Sequence, residues 1–180
     1  MSDPLETAPP SLSLQEVERI SKRVFGRGGR VEALDSERDQ NFRLRSTDGE
    51  SFLLKISNPA DDVAAIEMQT EAMLHIKRQA PVLPVMQPLP AMDGSLISGV
   101  SAGVDQRLLV RLFSFLPGRM VASADLNHGA IQDFGAMVAR MGLALRGFFH
   151  PAAGRDLLWN PAQTPRLRPL AASIEDEGTR

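Results

Sequence analysis

The chain contains no cysteine and no tyrosine, and a single tryptophan in 180 residues. Without cysteine there can be no disulfide and no thiolate metal site, and a reducing cytoplasm is the expected setting. No basic block interrupts a formal net charge of −2. The sequence therefore argues against nucleic acid or an anionic membrane as the main partner. No apolar run is long enough to span a bilayer. The first residues, Met1-Ser2-Asp3-Pro4-Leu5-Glu6, lack the basic and apolar regions of a signal peptide. What remains is a chain that is 43% hydrophobic and 23% charged, enough for one core or slightly more than one domain.

The most informative stretch is Ser51-Phe52-Leu53-Leu54-Lys55-Ile56. Its alternation predicts a strand with Phe52, Leu54 and Ile56 on one face and Leu53 and Lys55 on the other. A lysine near the end of an apolar strand can simply snorkel into water. It can also serve as a compact cation on a rigid support, suited to phosphate. Asn41 to Ser46 reads as the preceding strand, joined through the turn Thr47-Asp48-Gly49. After Ser57-Asn58-Pro59, the stretch Asp61 to Gln79 has helical spacing, with Val63, Ile66, Thr70, Met73 and Leu74 as its inward stripe. On that phase Glu67 flanks the stripe and is the first candidate to pair with Lys55. Glu71 is the second, and both are equally consistent with ordinary surface acids.

Residues 1–12 hold three prolines and no apolar period, and are expected to be a mobile tail. Ser13 and Glu16 form a capping box ahead of a helix that Gly26 should end. Val31 to Leu34 is a short strand candidate, and Asp35 to Gln40 must turn. On its own that turn suits a solvated hairpin. Its acids would repel phosphate, which leaves backbone N–H groups, Ser36 or Arg38 for any phosphate contact. Farther on, Met92-Asp93-Gly94-Ser95 signals a hairpin between Val85–Leu89 and Ser95–Ser98. Arg107 to Leu116 reads as a strand ended by Pro117-Gly118. Ala122 to Phe149 is mostly helical, with a break between Asn127 and Gly129 and an apolar face of Ile131, Phe134, Met137, Val138, Met141 and Leu145. Trp159 is expected to anchor a core. None of His75, His128 and His150 has a second histidine at ligand spacing, so no metal site is expected from them.

Several stretches agree in order and spacing: Ser36-Glu37-Arg38-Asp39-Gln40-Asn41-Phe42, Phe52 to Ile56, Ile66-Glu67-Met68-Gln69, Arg111-Leu112-Phe113-Ser114-Phe115-Leu116-Pro117-Gly118, and His150-Pro151 through Trp159. Together they resemble the aminoglycoside phosphotransferase family, within the protein-kinase-like fold, and most closely its hydroxylysine kinase-like branch. The resemblance implies an α+β fold. Its first part would be a kinase-like N-terminal lobe over residues 13–116, an antiparallel sheet plus an αC-type helix. Residues 117–180 would be the first helices of a truncated helical C-terminal lobe.

It further implies that Lys55 binds the α- and β-phosphates of ATP and that Glu67 holds Lys55, although Gln69 also aligns to that position. The turn carrying Ser36 and Arg38 would cover the phosphates, and Ser114 to Leu116 would be the hinge that reads adenine. Nucleotide and a small-molecule substrate are the implied partners, and such chains are sometimes fused to further domains. One part of the pattern is missing. The family carries an H-x-D-x-x-x-x-N loop and a later aspartate that hold Mg²⁺. Here the residues two after each histidine are Lys77, Ala130 and Ala152. The expectation is the N-terminal portion of an ATP-dependent phosphotransferase acting on a hydroxyl of an amino-alcohol or amino-sugar, inactive alone. The alternative is a non-catalytic nucleotide-binding or interaction module.

Overall fold

The computed structural model describes residues 7–102, 106–118, 126–154 and 161–169. Helix α1 (Leu14–Phe25) opens on the expected capping box: the Ser13 hydroxyl accepts from the Glu16 N–H, and the Glu16 carboxylate accepts from the Ser13 N–H at 2.8 Å. It ends on Gly26, whose φ of 67° is the left-handed conformation that glycine adopts without steric cost. Three strands follow, β1 (Gly29–Leu34), β2 (Gln40–Ser46) and β3 (Ser51–Ile56), paired antiparallel in sequence order. Helix α2 (Val63–Gln79) has Asp62 as its N-cap. Strands β4 (Pro88–Leu89), β5 (Ser98–Ala102) and β6 (Gln106–Ser114) complete a six-stranded sheet in which β6 lies beside β3. Helix α3 (His128–Ala144) starts on the Asn127 cap, where the sequence places a break. A 3-10 turn at Pro151–Gly154 and a short helix α4 (Thr164–Leu167) follow.

Sheet alternation decides where the core lies. Val31, Phe42, Leu44, Phe52, Leu54, Ile56, Leu108, Val110 and Leu112 share one face and pack with Val17, Ile20 and Phe25 of α1. Each such fully buried side chain contributes about 1.5–3 kcal/mol. The opposite face carries Leu53 and Lys55 of β3 with Arg111 and Phe113 of β6, and α2 lies on that side, where Arg111 reaches it.

Three expectations change. Met92 to Ser95 does turn, with the Ala91 N–H donating to the Ser95 carbonyl at 2.8 Å, but it joins no hairpin. Both arms pair with β6, Leu89 opposite Leu112 and Ser98 opposite Val110. The intervening residues form an excursion from a single edge strand, and the Met92 N–H hooks it to the Val24 carbonyl at 2.9 Å. The buried side of α2 runs through Ala65, Ile66, Thr70 and Ile76, leaving Val63 exposed, because the helix faces a buried arginine that needs polar partners. Residues 7–12, assigned to the tail, lie against the sheet. Gln40 accepts from the Leu12 N–H at 2.9 Å, and Asn58 donates to the Thr7 carbonyl at 3.2 Å. Trp159 lies outside the described residues.

Candidate nucleotide site

Register places three polar residues side by side across three strands. Asn41 of β2 is opposite Lys55 of β3, which is opposite Arg111 of β6. Residues directly opposite in an antiparallel pair point to the same face, so this row crosses the face away from the α1 core. Two buried atoms of the row have no hydrogen-bond partner among the described residues, the Asn41 Oδ1 acceptor and the Arg111 Nε donor. They flank Lys55 on either side. Buried polar atoms are seldom left unpaired, because each costs about 1–3 kcal/mol. A polar ligand beside Lys55 is one way to satisfy them.

Lys55 does not meet Glu67. Its ammonium pairs with the Asp39 carboxylate from the β1–β2 turn, with 24% of the lysine side chain and 16% of the aspartate exposed. Glu67 is exposed on α2, one residue outward from buried Ile66. The phase of the helix explains this correction: the residues turned to the sheet are Gln69 and Thr70, and both accept from Arg111 at 3.4 Å. Glu71 is also exposed and lies 3.9 Å from Nε2 of His150.

Asp39 is fixed at both oxygens, since Oδ1 accepts from the Asn58 N–H at 2.8 Å. Asn58, buried to 2% exposure, ties the whole turn down. Its Nδ2 donates to the carbonyls of Arg38, Thr7 and Ala8, and its Oδ1 accepts from the Ala60 N–H at 2.9 Å. Arg38 pairs with Asp61 at 3.0 Å, joining the β1–β2 turn to the approach to α2. Ser36 is exposed and accepts from Asn41 Nδ2 at 3.1 Å. The turn bearing Ser36 and Arg38 is thus brought to Lys55.

Arg111 is 1% exposed, and among the described residues its guanidinium donates to neutral acceptors, the Ile66 carbonyl, Gln69, Thr70 and Ser57, at 3.3–3.4 Å. Burial holds its pKa below the usual arginine range, partly offset by the charges of Asp39 and Asp61. It stays cationic at neutral pH. Arg38 pairs with Asp61 and Lys55 with Asp39, so Arg111 is the cation of the row that has no acidic hydrogen-bond partner among the described residues. Arg111 also replaces an ion pair as the strut between α2 and the sheet.

Ser114 closes β6, and its hydroxyl accepts from the Gln87 N–H at 2.9 Å. Leu116 lies past the strand end and is partly exposed, within the irregular stretch 115–118. Sequence reasoning missed Asp39, Asn58 and Arg111. Arg111 carried the same signal as Lys55, a cation set among Leu109, Leu112 and Phe113 on an apolar strand.

The Phosphotransferase enzyme family matches residues 30–178. The chain belongs to that family. Hydroxylysine kinase of Danio rerio is 34% identical over 148 residues, covering 79% of this chain and 41% of the relative. The Mus musculus hydroxylysine kinase is 26% identical over 189 residues, covering 97% and 50%. This phosphotransferase-family chain therefore spans about half the length, or somewhat less, of those curated relatives. Among solved structures, the amicoumacin kinase hAmiN, in complex with AMP-PNP, Ca²⁺ and Ami, superposes with a TM-score of 0.69 at 17% identity. It covers 92% of this chain and 55% of that one. A microcompartment-associated aminopropanol kinase gives a TM-score of 0.64 at 16% identity, covering 86% and 48%. These likenesses establish the α+β, kinase-like fold of the family's N-terminal lobe.

No group of three or more histidine or acidic side chains converges among the described residues. Asp39 and Asp61 are already engaged by Lys55 and Arg38. No described helix is long and apolar enough to cross a membrane.

Proposed function

We propose that this chain is the nucleotide-binding portion of an ATP-dependent small-molecule phosphotransferase, with residues 13–116 as the nucleotide lobe and 117–180 as the start of the second. The acceptor would be a hydroxyl of an amino-alcohol or amino-sugar. The observation that carries this reading is the row Asn41–Lys55–Arg111 under the β1–β2 turn, with its two cations and its two unpartnered buried atoms beside Lys55. The relatives' printed activities agree in kind, since all are kinases of small molecules.

In this reading the Lys55 ammonium holds the α- and β-phosphates of ATP. Ser36, Arg38 and the backbone of their turn lie over the phosphates. Ser114 and Leu116 bracket the hinge whose backbone groups read adenine. Glu67, exposed and away from Lys55 here, would take part only after α2 turned toward the strand. A cytoplasmic setting fits the lack of cysteine.

Phosphoryl transfer needs metal ligands and a residue that positions the attacking hydroxyl, acting together. The sequence contains no H-x-D-x-x-x-x-N. We therefore expect the chain to bind nucleotide without turning it over. The exposed apolar side chains Ile131, Phe134, Val138 and Leu143 on α3 favour this reading over that of a self-sufficient binding module, because they suit a helix that packs against more protein. A coupled ADP-release assay with the acceptors hydroxylysine and aminopropanol should give no signal above background. Turnover that disappears in Lys55→Met would contradict the proposed inactivity.

A further inference from the structure

Resting on the nucleotide reading, we propose that Asp39 is a specificity-determining residue for ligand charge. It occupies the ammonium that a polyphosphate would take, and so disfavours fully charged, metal-free nucleotide. The side from which Asp39 approaches carries the argument. A partner on α2 would hold Lys55 from behind, leaving its outer side to phosphate. Asp39 instead comes from the β1–β2 turn, the segment positioned over the phosphates in the reading above. Its charge lies on the ligand's side of the ammonium.

Asp39 is also not a mobile surface acid. Oδ2 engages Lys55, and Oδ1 accepts the Asn58 N–H at 2.8 Å. Its neighbours on both sides are tied: the Arg38 carbonyl to Asn58 Nδ2 at 3.0 Å, the Arg38 guanidinium to Asp61 at 3.0 Å, and Gln40 to Leu12 at 2.9 Å. Anionic phosphates arriving at Lys55 must either displace a half-buried carboxylate from its cation or share the ammonium with it. The first leaves Asp39 without a counter-charge, and the second sets like charges together. Arg111, directly across from Lys55, supplies the remaining positive charge but is committed to α2 and Ser57.

The test is calorimetric titration of the 180-residue chain with ATP in EDTA, so that the phosphates keep their full charge. Asp39→Asn removes the charge and keeps an oxygen for the Asn58 N–H. It should bind ATP at least about tenfold more tightly than wild type. Asp39→Glu, which keeps the charge, should not show that gain. Adenosine should bind wild type and Asp39→Asn alike. Asp39→Ser, with circular dichroism as the fold control, stands in if Asp39→Asn does not fold. Equal or weaker ATP binding by the uncharged variants overturns the proposal, as does an equal gain for adenosine. Failure of every variant to bind ATP overturns it too. Binding that survives Lys55→Met would instead strike the nucleotide reading itself, so the two failures are distinguishable.

Discussion

Leu54 on β3 and Phe134 on α3 are both large apolar side chains in regular elements, yet Leu54 is fully buried and Phe134 is 68% exposed. The difference extends to the regions around them. Between α1 and β6 the apolar residues of the outer sheet face find partners, and the polar ones on the other face are tied into a network around Asn58 and Arg111. On α3, the only α-helical residue fully buried among those described is Ala144. The first region has a closed core. The second presents the apolar stripe of a helix without the layer that would cover it. Stability should therefore reside in the sheet and its two helices, and α3 should contribute little.

The contrast breaks most sharply by exchanging the two residues' fates. Leu54→Ala empties a site in the core and should cost about 2–5 kcal/mol in urea unfolding. Phe134→Ser should change stability by less than about 0.5 kcal/mol and reduce self-association in sedimentation velocity. Equal losses at the two positions would mean that α3 belongs to the same cooperative core.

Within the closed region, the site network should matter next. Arg111→Ala removes the strut between α2 and the sheet and leaves Gln69, Thr70 and Ser57 without their donor. A loss of about 2–3 kcal/mol is expected, with faster amide exchange across α2 than across β1 and β2. Uniform acceleration throughout the sheet would contradict the role as a local strut.

The smallest effect belongs to the cap of α1. Hydrogen bonds from the Ser13 side chain and backbone hold the Glu16 carboxyl below its usual pKa. A depressed carboxylate stabilises the fold above its unfolded value, and this contribution is lost as pH falls through the lower folded value. Ser13→Ala should lower Tm by roughly a few degrees at neutral pH. The gap to wild type should narrow in strong acid to what the Glu16 N–H bond to the Ser13 hydroxyl contributes, since that bond does not titrate. A gap that widened on acidification would show that the box is not the source of the effect.

The pattern of what could be read from sequence follows the same division. Period-two alternation located β2, β3 and β6 within a residue or two, because a sheet with one buried face imposes that period. The capping box and Gly26 located α1. The polar anomaly of Lys55 drew attention to the strand that carries the candidate site. Its partner was less legible. Apolar spacing on α2 placed Ile66 and Thr70 inward, as they are, but it pointed to Glu67 beside them, whereas the buried arginine 44 residues later engages Gln69 on the other edge. Helix periodicity assumes an apolar counterpart, and Arg111 is not one. Asp39 was not distinguished from the other acids of its turn, because no local pattern could reveal that it pairs with Lys55 across 16 residues. The turn at Met92 to Ser95 was correct, but the partner of its arms was not, since turn chemistry fixes the reversal and not the strand beside it.

The central claim is that Lys55 and its row form a nucleotide phosphate site, and the most direct measurement is the affinity of this chain for ATP with and without the Lys55 ammonium. Wild type and Lys55→Met, matched for fold by circular dichroism, would be titrated with ATP by calorimetry in excess Mg²⁺. The account predicts saturable binding by wild type and a loss of at least about tenfold in Lys55→Met, with adenosine affinity little changed. Equal ATP affinity in the two proteins would contradict it.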